Sequence, residues 1–197
     1  MIESKEDYLF FLEADRLALL TNRKRPHFFG DEIWKFQRAL RKAEFLENCK
    51  KDPLNRIAFS YARYVLEKLS IQLGFTIPRN VFGPGLSIAH RGSIVVVSGV
   101  KVGENCRIHQ GVTIGCDLIT SDVPSLGNNI VIGPGAVIVG GITVADGIAI
   151  GANSFVNKSF TETNITIAGC PARKVSNKSS INRWIRSTDI LRKKPIP

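Results

Sequence analysis

The chain has 197 residues, 44% of them hydrophobic and 22% charged, with a formal net charge of +10. That length fits one compact domain with a small appendage, and the composition excludes a disordered chain. The longest apolar runs, such as residues 8–12, are far too short to cross a bilayer, and the acids within residues 1–7 argue against a signal or transit peptide, so a cytoplasmic protein is expected.

The charge is uneven: residues 1–74 carry a net +3, residues 75–166 are neutral, and residues 167–197 carry +7. The basic end suits an acidic polymer or a phosphorylated cofactor, or is a solvated tail; no nucleic-acid-binding motif accompanies it. Cys49, Cys106, Cys116 and Cys170 form no C-x-x-C pair and are expected as free thiols. His27 lies in a different region from His90 and His109, so no metal centre is expected.

Residues 1–74 read as a helical N-terminal domain. Ser4 with Asp7 forms a capping box, and Tyr8, Phe11, Leu12 and Leu19 follow a helical stripe. Pro26 and Gly30 interrupt a basic loop, and Asp31 can cap a second helix whose apolar set is Ile33, Trp34, Phe36, Leu40, Phe45 and Leu46. Asp52-Pro53 marks a third start, with Ile57, Ala58, Tyr61, Tyr64, Val65, Leu69 and Leu73 as the apolar set and Gly74 as the stop.

From residue 75 the pattern changes to a period of six. Apolar anchors recur at Phe82, Ile88, Ile94, Val102, Ile108, Ile114, Leu126, Ile132, Ile138, Val144, Ile150 and Val156. A step of six drifts around a helix of 3.6 residues per turn, but suits short strands joined by tight corners, three to a coil of a parallel β-helix with the anchors stacked inward. Ile88, Ile94 and Val102 are expected to form one coil, with Ile108, Ile114 and Leu126 stacked on them. Both interruptions, two extra residues before Val102 and six before Leu126, then fall at one corner.

The hexads of residues 82–160 resemble the left-handed β-helix acyltransferases, the hexapeptide-repeat family. Residues 85–96 (GLSIAHRGSIVV), 108–115 (IHQGVTIG) and 168–175 (AGCPARKV) look like its serine acetyltransferase branch. The resemblance implies a mainly β fold with α: a helical domain (1–74), a left-handed β-helix (75–175) and a basic tail or short helix (176–197). It also implies acetyl-CoA as co-substrate and an active site between subunits of a homotrimer or dimer of trimers.

His90 is the candidate catalytic base. An imidazole takes a hydroxyl proton at neutral pH and returns it to a leaving thiolate, and the family's catalytic histidine matches this position. His109 stacks over Ala89 and is a second candidate, with a structural role and a direct role both open. Gly133, Gly151, Ala168 and Gly169 suit a narrow groove for the pantetheine arm, although the glycines also suit corner geometry. Arg173 and Lys174 resemble the family's basic residues near the adenosine phosphates.

The chain also departs from the branch. The aspartate expected fifteen residues before the catalytic histidine is Phe75, the one directly before it is Ala89, and residues 116–125 hold no histidine. A backbone carbonyl, Asp117 or Asp122 is left to orient His90. The expectation is therefore an O-acetyltransferase acting on a hydroxyl of a sugar or surface-polysaccharide precursor. Serine O-acetyl transfer and a non-catalytic scaffold are the alternatives.

Overall fold

The computed structural model describes residues 1–49, 53–180 and 184–193. Helix α1 spans Lys5–Ala18, and Ser4 caps it as expected: its hydroxyl accepts from the Asp7 N–H at 3.0 Å, while the Asp7 carboxylate reaches one residue past the cap and accepts from the Glu3 N–H at 3.0 Å. Helix α2 spans Glu32–Cys49 and α3 spans Pro53–Leu73. Asp52 lies outside the described residues, so its capping role is not described. Gly74, at φ +74°, ends α3 in the left-handed region that glycine enters without strain.

Two helical details differ from the sequence reading. Asp31 precedes α2 and its carbonyl accepts from the Lys35 N–H, but its carboxylate turns away to Arg23 and to the His27 N–H. On α3 only part of the expected apolar set faces the core: Leu73 is buried and Leu69 packs against the core, but Ile57, Tyr61 and Tyr64 are exposed, whereas Ala62 and Leu66, outside the set, are buried. Both stripes obey helical spacing, so periodicity could not choose between them.

The strands form a three-sided parallel β-helix. One face pairs Phe75–Thr76, Ile94–Val96, Thr113–Gly115, Val137–Val139 and Phe155–Val156. A second pairs Lys101–Val102, Ser125–Leu126 and Thr143–Val144. The third pairs Ser87–Ile88, Arg107–Ile108, Val131–Ile132, Ala149–Ile150 and Thr166–Gly169, and closes with Ala172–Ser176 running antiparallel. The anchors stack inward as columns: Ile88, Ile108, Ile132, Ile150 and Ile167 on the third face, and Val102, Leu126 and Val144 on the second. All of these are buried, so each coil covers the apolar interior of the next.

The register of the first face corrects the expectation that both insertions share a corner. Ile114 pairs with Val96, not with Ile94, which pairs instead with Phe75. The inward column is therefore Val96, Ile114, Ile138 and Val156. The two extra residues then fall between Ile88 and Val96, at the corner that carries His90 and Arg91. The six-residue insertion stays at the next corner, between Ile114 and Leu126. Ile94 and Val96 are both apolar and two apart, so either fits an inward position on a strand.

The helices are fastened to the first coil by a buried ionic cluster. Arg41, wholly buried, donates to Asp15 at 2.8 Å and Glu44 at 3.0 Å, and to the carbonyls of Phe82 at 2.8 Å and Gly83 at 2.7 Å. Asp15 in turn accepts from the N–H groups of Gly85 at 2.9 Å and Leu86 at 2.8 Å. Every charge in the cluster has a partner, which burial requires.

The basic C-terminal segment is not a free tail. Helix α4, Ser187–Lys193, packs on α1, and Ser187 and Thr188 are buried against the Asn105 side chain, which bonds both. Arg192 pairs with Glu104 at 2.6 Å, and the Arg107 guanidinium lies 3.3 Å from the centroid of the Trp184 ring. Part of the +7 charge is thus committed to internal contacts.

Candidate active site

The strand pairing gathers most of the candidate residues on one edge of the prism. Ile88, Ile108, Ile132, Ile150 and Ile167 pair in sequence, so the residues that follow them line up: Ala89, His109, Gly133, Gly151 and Ala168. Four coil steps of about 4.8 Å make this edge about 19 Å long. His90 and Arg91 stand at one end. Arg173, paired with Ala168 across the final hairpin, stands at the other.

His90 is exposed at the widened corner, and its ring centroid lies 6.3 Å from that of His109. His109 is half-buried and its Nδ1 lies 2.8 Å from the Ile132 carbonyl oxygen. A carbonyl only accepts, so Nδ1 carries the proton and Nε2 is the basic nitrogen. Burial pulls the His109 pKa below the usual imidazole value; the Ile132 bond opposes this, and the charges of Arg107 and His90 add to it. Gln110, stacked on the widened corner against Gly92, has a buried Oε1 with no partner among the described residues.

The two aspartates considered for orienting His90, Asp117 and Asp122, make their contacts elsewhere. The Asp117 carboxylate accepts from the N–H groups of Ile119 and Thr120, which hold it below the usual carboxylate range. Asp117 and Asp122 belong to the long loop at the other corner, and the Asp117 N–H donates to the Asp122 carbonyl there. Phe75 is buried edge-on to Phe36 with ring centroids 5.1 Å apart, so this position is part of the core.

Stacking explains the small residues of the edge. A Cβ on Gly133 would lie 2.7 Å from the Ala152 nitrogen, and one on Gly151 would lie 2.8 Å from the Ala168 Cβ. Coil packing thus forbids side chains at these two positions. Ser154 Oγ accepts from the Gly169 N–H at 3.3 Å. Arg173 is exposed; Lys174 is also exposed, but its Nζ sits 2.5 Å from Glu162.

Sequence reasoning missed the pocket beside His90. It lies between the helices and the first coil, and its lining includes Arg23, Asp31, Glu32, Trp34, Ala89 and Arg91. Arg23, Asp31, Glu32 and Trp34 lie outside the stretches that resemble the family, and the lining comes from three separate segments, so only the docking of the helices brings it together.

Comparison with known proteins agrees with this architecture. The chain is 36% identical over 95 residues to a serine acetyltransferase of Synechococcus elongatus, covering 47% of this chain and 38% of the relative. It is 35% identical over 101 residues to one of Helicobacter pylori, covering 50% and 58%. The solved serine acetyltransferase of Brucella abortus in complex with coenzyme A superposes with a TM-score of 0.66 at 25% identity, over 89% of this chain and 70% of that one. The chain resembles the serine acetyltransferase branch of the hexapeptide-repeat acyltransferases. Its β-helix is accordingly the left-handed one of those structures. No family model matches the chain. It spans only 38% to 58% of the length of these two curated relatives.

Proposed function

We propose that this protein is an O-acetyltransferase that moves an acetyl group from acetyl-CoA to a hydroxyl, with serine as the acceptor. His90 takes the hydroxyl proton as the oxygen attacks the thioester carbonyl. The carbon–sulfur bond then breaks and the proton passes to the coenzyme A thiolate. Oxygen gains the acetyl group, sulfur gains the proton, and His90 returns to its starting state. The pantetheine arm runs along the edge from Arg173 toward His109, where Gly133, Gly151, Ala168 and Gly169 leave room. Arg173 meets the nucleotide phosphates; Lys174 does so only by giving up Glu162.

The observation that carries this reading is an exposed imidazole at one end of a narrow, side-chain-poor edge with an arginine at the other. The matched relatives are serine acetyltransferases, and one neighbour of the same fold binds coenzyme A. They favour serine over the sugar acceptor expected from the sequence. A sugar hydroxyl stays as a second reading because Phe75 and Ala89 stand where the branch resemblance implies aspartates.

Release of thiol from acetyl-CoA, followed with L-serine and with a panel of monosaccharides, tests both. Serine-dependent release supports the first reading, sugar-dependent release the second, and none with either acceptor defeats the enzyme reading. We further propose a homotrimer or dimer of trimers in the cytoplasm, with the exposed stripe Ile57, Tyr61 and Tyr64 available for contact between helical parts. A monomeric mass by light scattering overturns that assembly.

A further inference from the structure

The pocket beside His90 holds two ion pairs of different quality. Arg23 grips Asp31 through two contacts, at 2.5 Å and 3.0 Å, and Asp31 also accepts from the His27 N–H at 2.9 Å. That carboxylate is committed, and its pKa is held down at about 2 by the Arg23 hydrogen bonds first and the His27 N–H second. The second pair is loose. Arg91 meets Glu32 at a single 3.4 Å contact, and although the Arg91 side chain is 70% exposed, that of Glu32 is only 19% exposed. Beside them Trp34 is 4% exposed, and its Nε1–H has no acceptor among the described residues. A buried indole donor ordinarily finds a partner, as does a largely buried carboxylate.

The pocket lining therefore offers an underused negative charge and an underused positive charge, while the Trp34 donor beside them is closed to solvent. Ala89 fills none of this space, and His90 follows it directly in the chain. A polyol would answer neither charge, and a simple anion would face Glu32. A zwitterion answers both charges, replacing one weak ion pair with two.

We propose that this pocket is the acceptor site and that it selects a small zwitterionic hydroxy amino acid, with Glu32 taking the ammonium group and Arg91 the carboxylate. The carboxylate absent from the coil at Phe75 and Ala89 is supplied from the first turn of α2. The inference rests on the acetyl-transfer reading above and assigns its acceptor-binding residues.

The test combines kinetics with binding that needs no turnover. Thiol release is measured with L-serine, with 3-hydroxypropionate, which lacks the ammonium, and with ethanolamine, which lacks the carboxylate. Saturation-transfer NMR follows L-serine binding in the absence of acetyl-CoA. Glu32→Gln is expected to raise the serine KM by about tenfold or more, leave kcat and the acetyl-CoA KM nearly unchanged, and abolish the preference for serine over 3-hydroxypropionate. Arg91→Met is expected to do the same toward ethanolamine. Serine turnover with an unaltered KM in both charge variants overturns the pocket and spares the transferase reading. Serine binding that Glu32→Gln abolishes, without acetyl transfer, does the reverse. Absence of serine binding to the native protein, or a sugar used better than serine, overturns the inference.

Discussion

His109 is tied through Nδ1 to the Ile132 carbonyl at 2.8 Å, on the next coil, so its Nε2 is a fixed acceptor beside His90. Protonating His109 places a second charge next to His90 and Arg107 in a half-buried position. Its pKa in the folded protein lies below the unfolded value of about 6.5. Below that pH the unfolded state binds more protons, so stability falls as pH drops from about 6.5 through the folded pKa. Melting temperatures measured across this window should fall toward acid, and His109→Gln should remove part of the slope. An unchanged slope in the variant argues that His109 does not titrate there.

His90→Ala should lower turnover by about two to four orders of magnitude, the scale for losing a positioned general base. Acetyl-CoA affinity should hardly change, because the proposed base would meet the reacting end only. The residue is exposed, so the fold should be untouched. Near-native turnover would move the role of base to His109.

Arg41→Met should cost about 3–5 kcal/mol, because it leaves Asp15 and Glu44 buried without their cation. Chemical denaturation measures this directly. The loss should appear first as increased amide exchange at Gly85 and Leu86, whose N–H groups Asp15 holds. A change under about 1 kcal/mol would mean that the cluster does not fasten the helices to the coil.

Arg173→Ala should raise the acetyl-CoA KM and leave kcat nearly unchanged, since a phosphate contact is the same in ground and transition states. The loss should be about 1.5–3 kcal/mol for one charge-assisted contact. It should shrink with dephospho-CoA donors if the 3′-phosphate is the partner. A raised acceptor KM with an unaltered donor KM would instead assign Arg173 to the acceptor.

The repeat was legible because an inward position every six residues leaves a strong mark, and the caps at Ser4 and Gly74 were legible because their chemistry is local. The register of the first face was not. Ile94 and Val96 satisfy the same apolar requirement, and only backbone pairing with Phe75 and Ile114 separates them. His90 was visible from its neighbours in sequence, and His109 from the coil count. Glu32, Trp34 and Arg91 were not, because the pocket exists only after α2 docks on the first coil. The charge of the C-terminal segment was plain, but Ser187 and Thr188, which bury it against Asn105, carry no such signal.

The seat of α4 also has a mechanical meaning. Its Arg192 reaches the Phe10 ring of α1, with the guanidinium carbon 5.8 Å from the ring centroid, and Ser187 and Thr188 grip the first-coil corner at Asn105. The first and last helices thus share a clasp at one end of the prism. Tension drawn through the two ends of the chain would be borne by that clasp, while the upper coils, around Ile132 and Ile150, lie outside the loaded path.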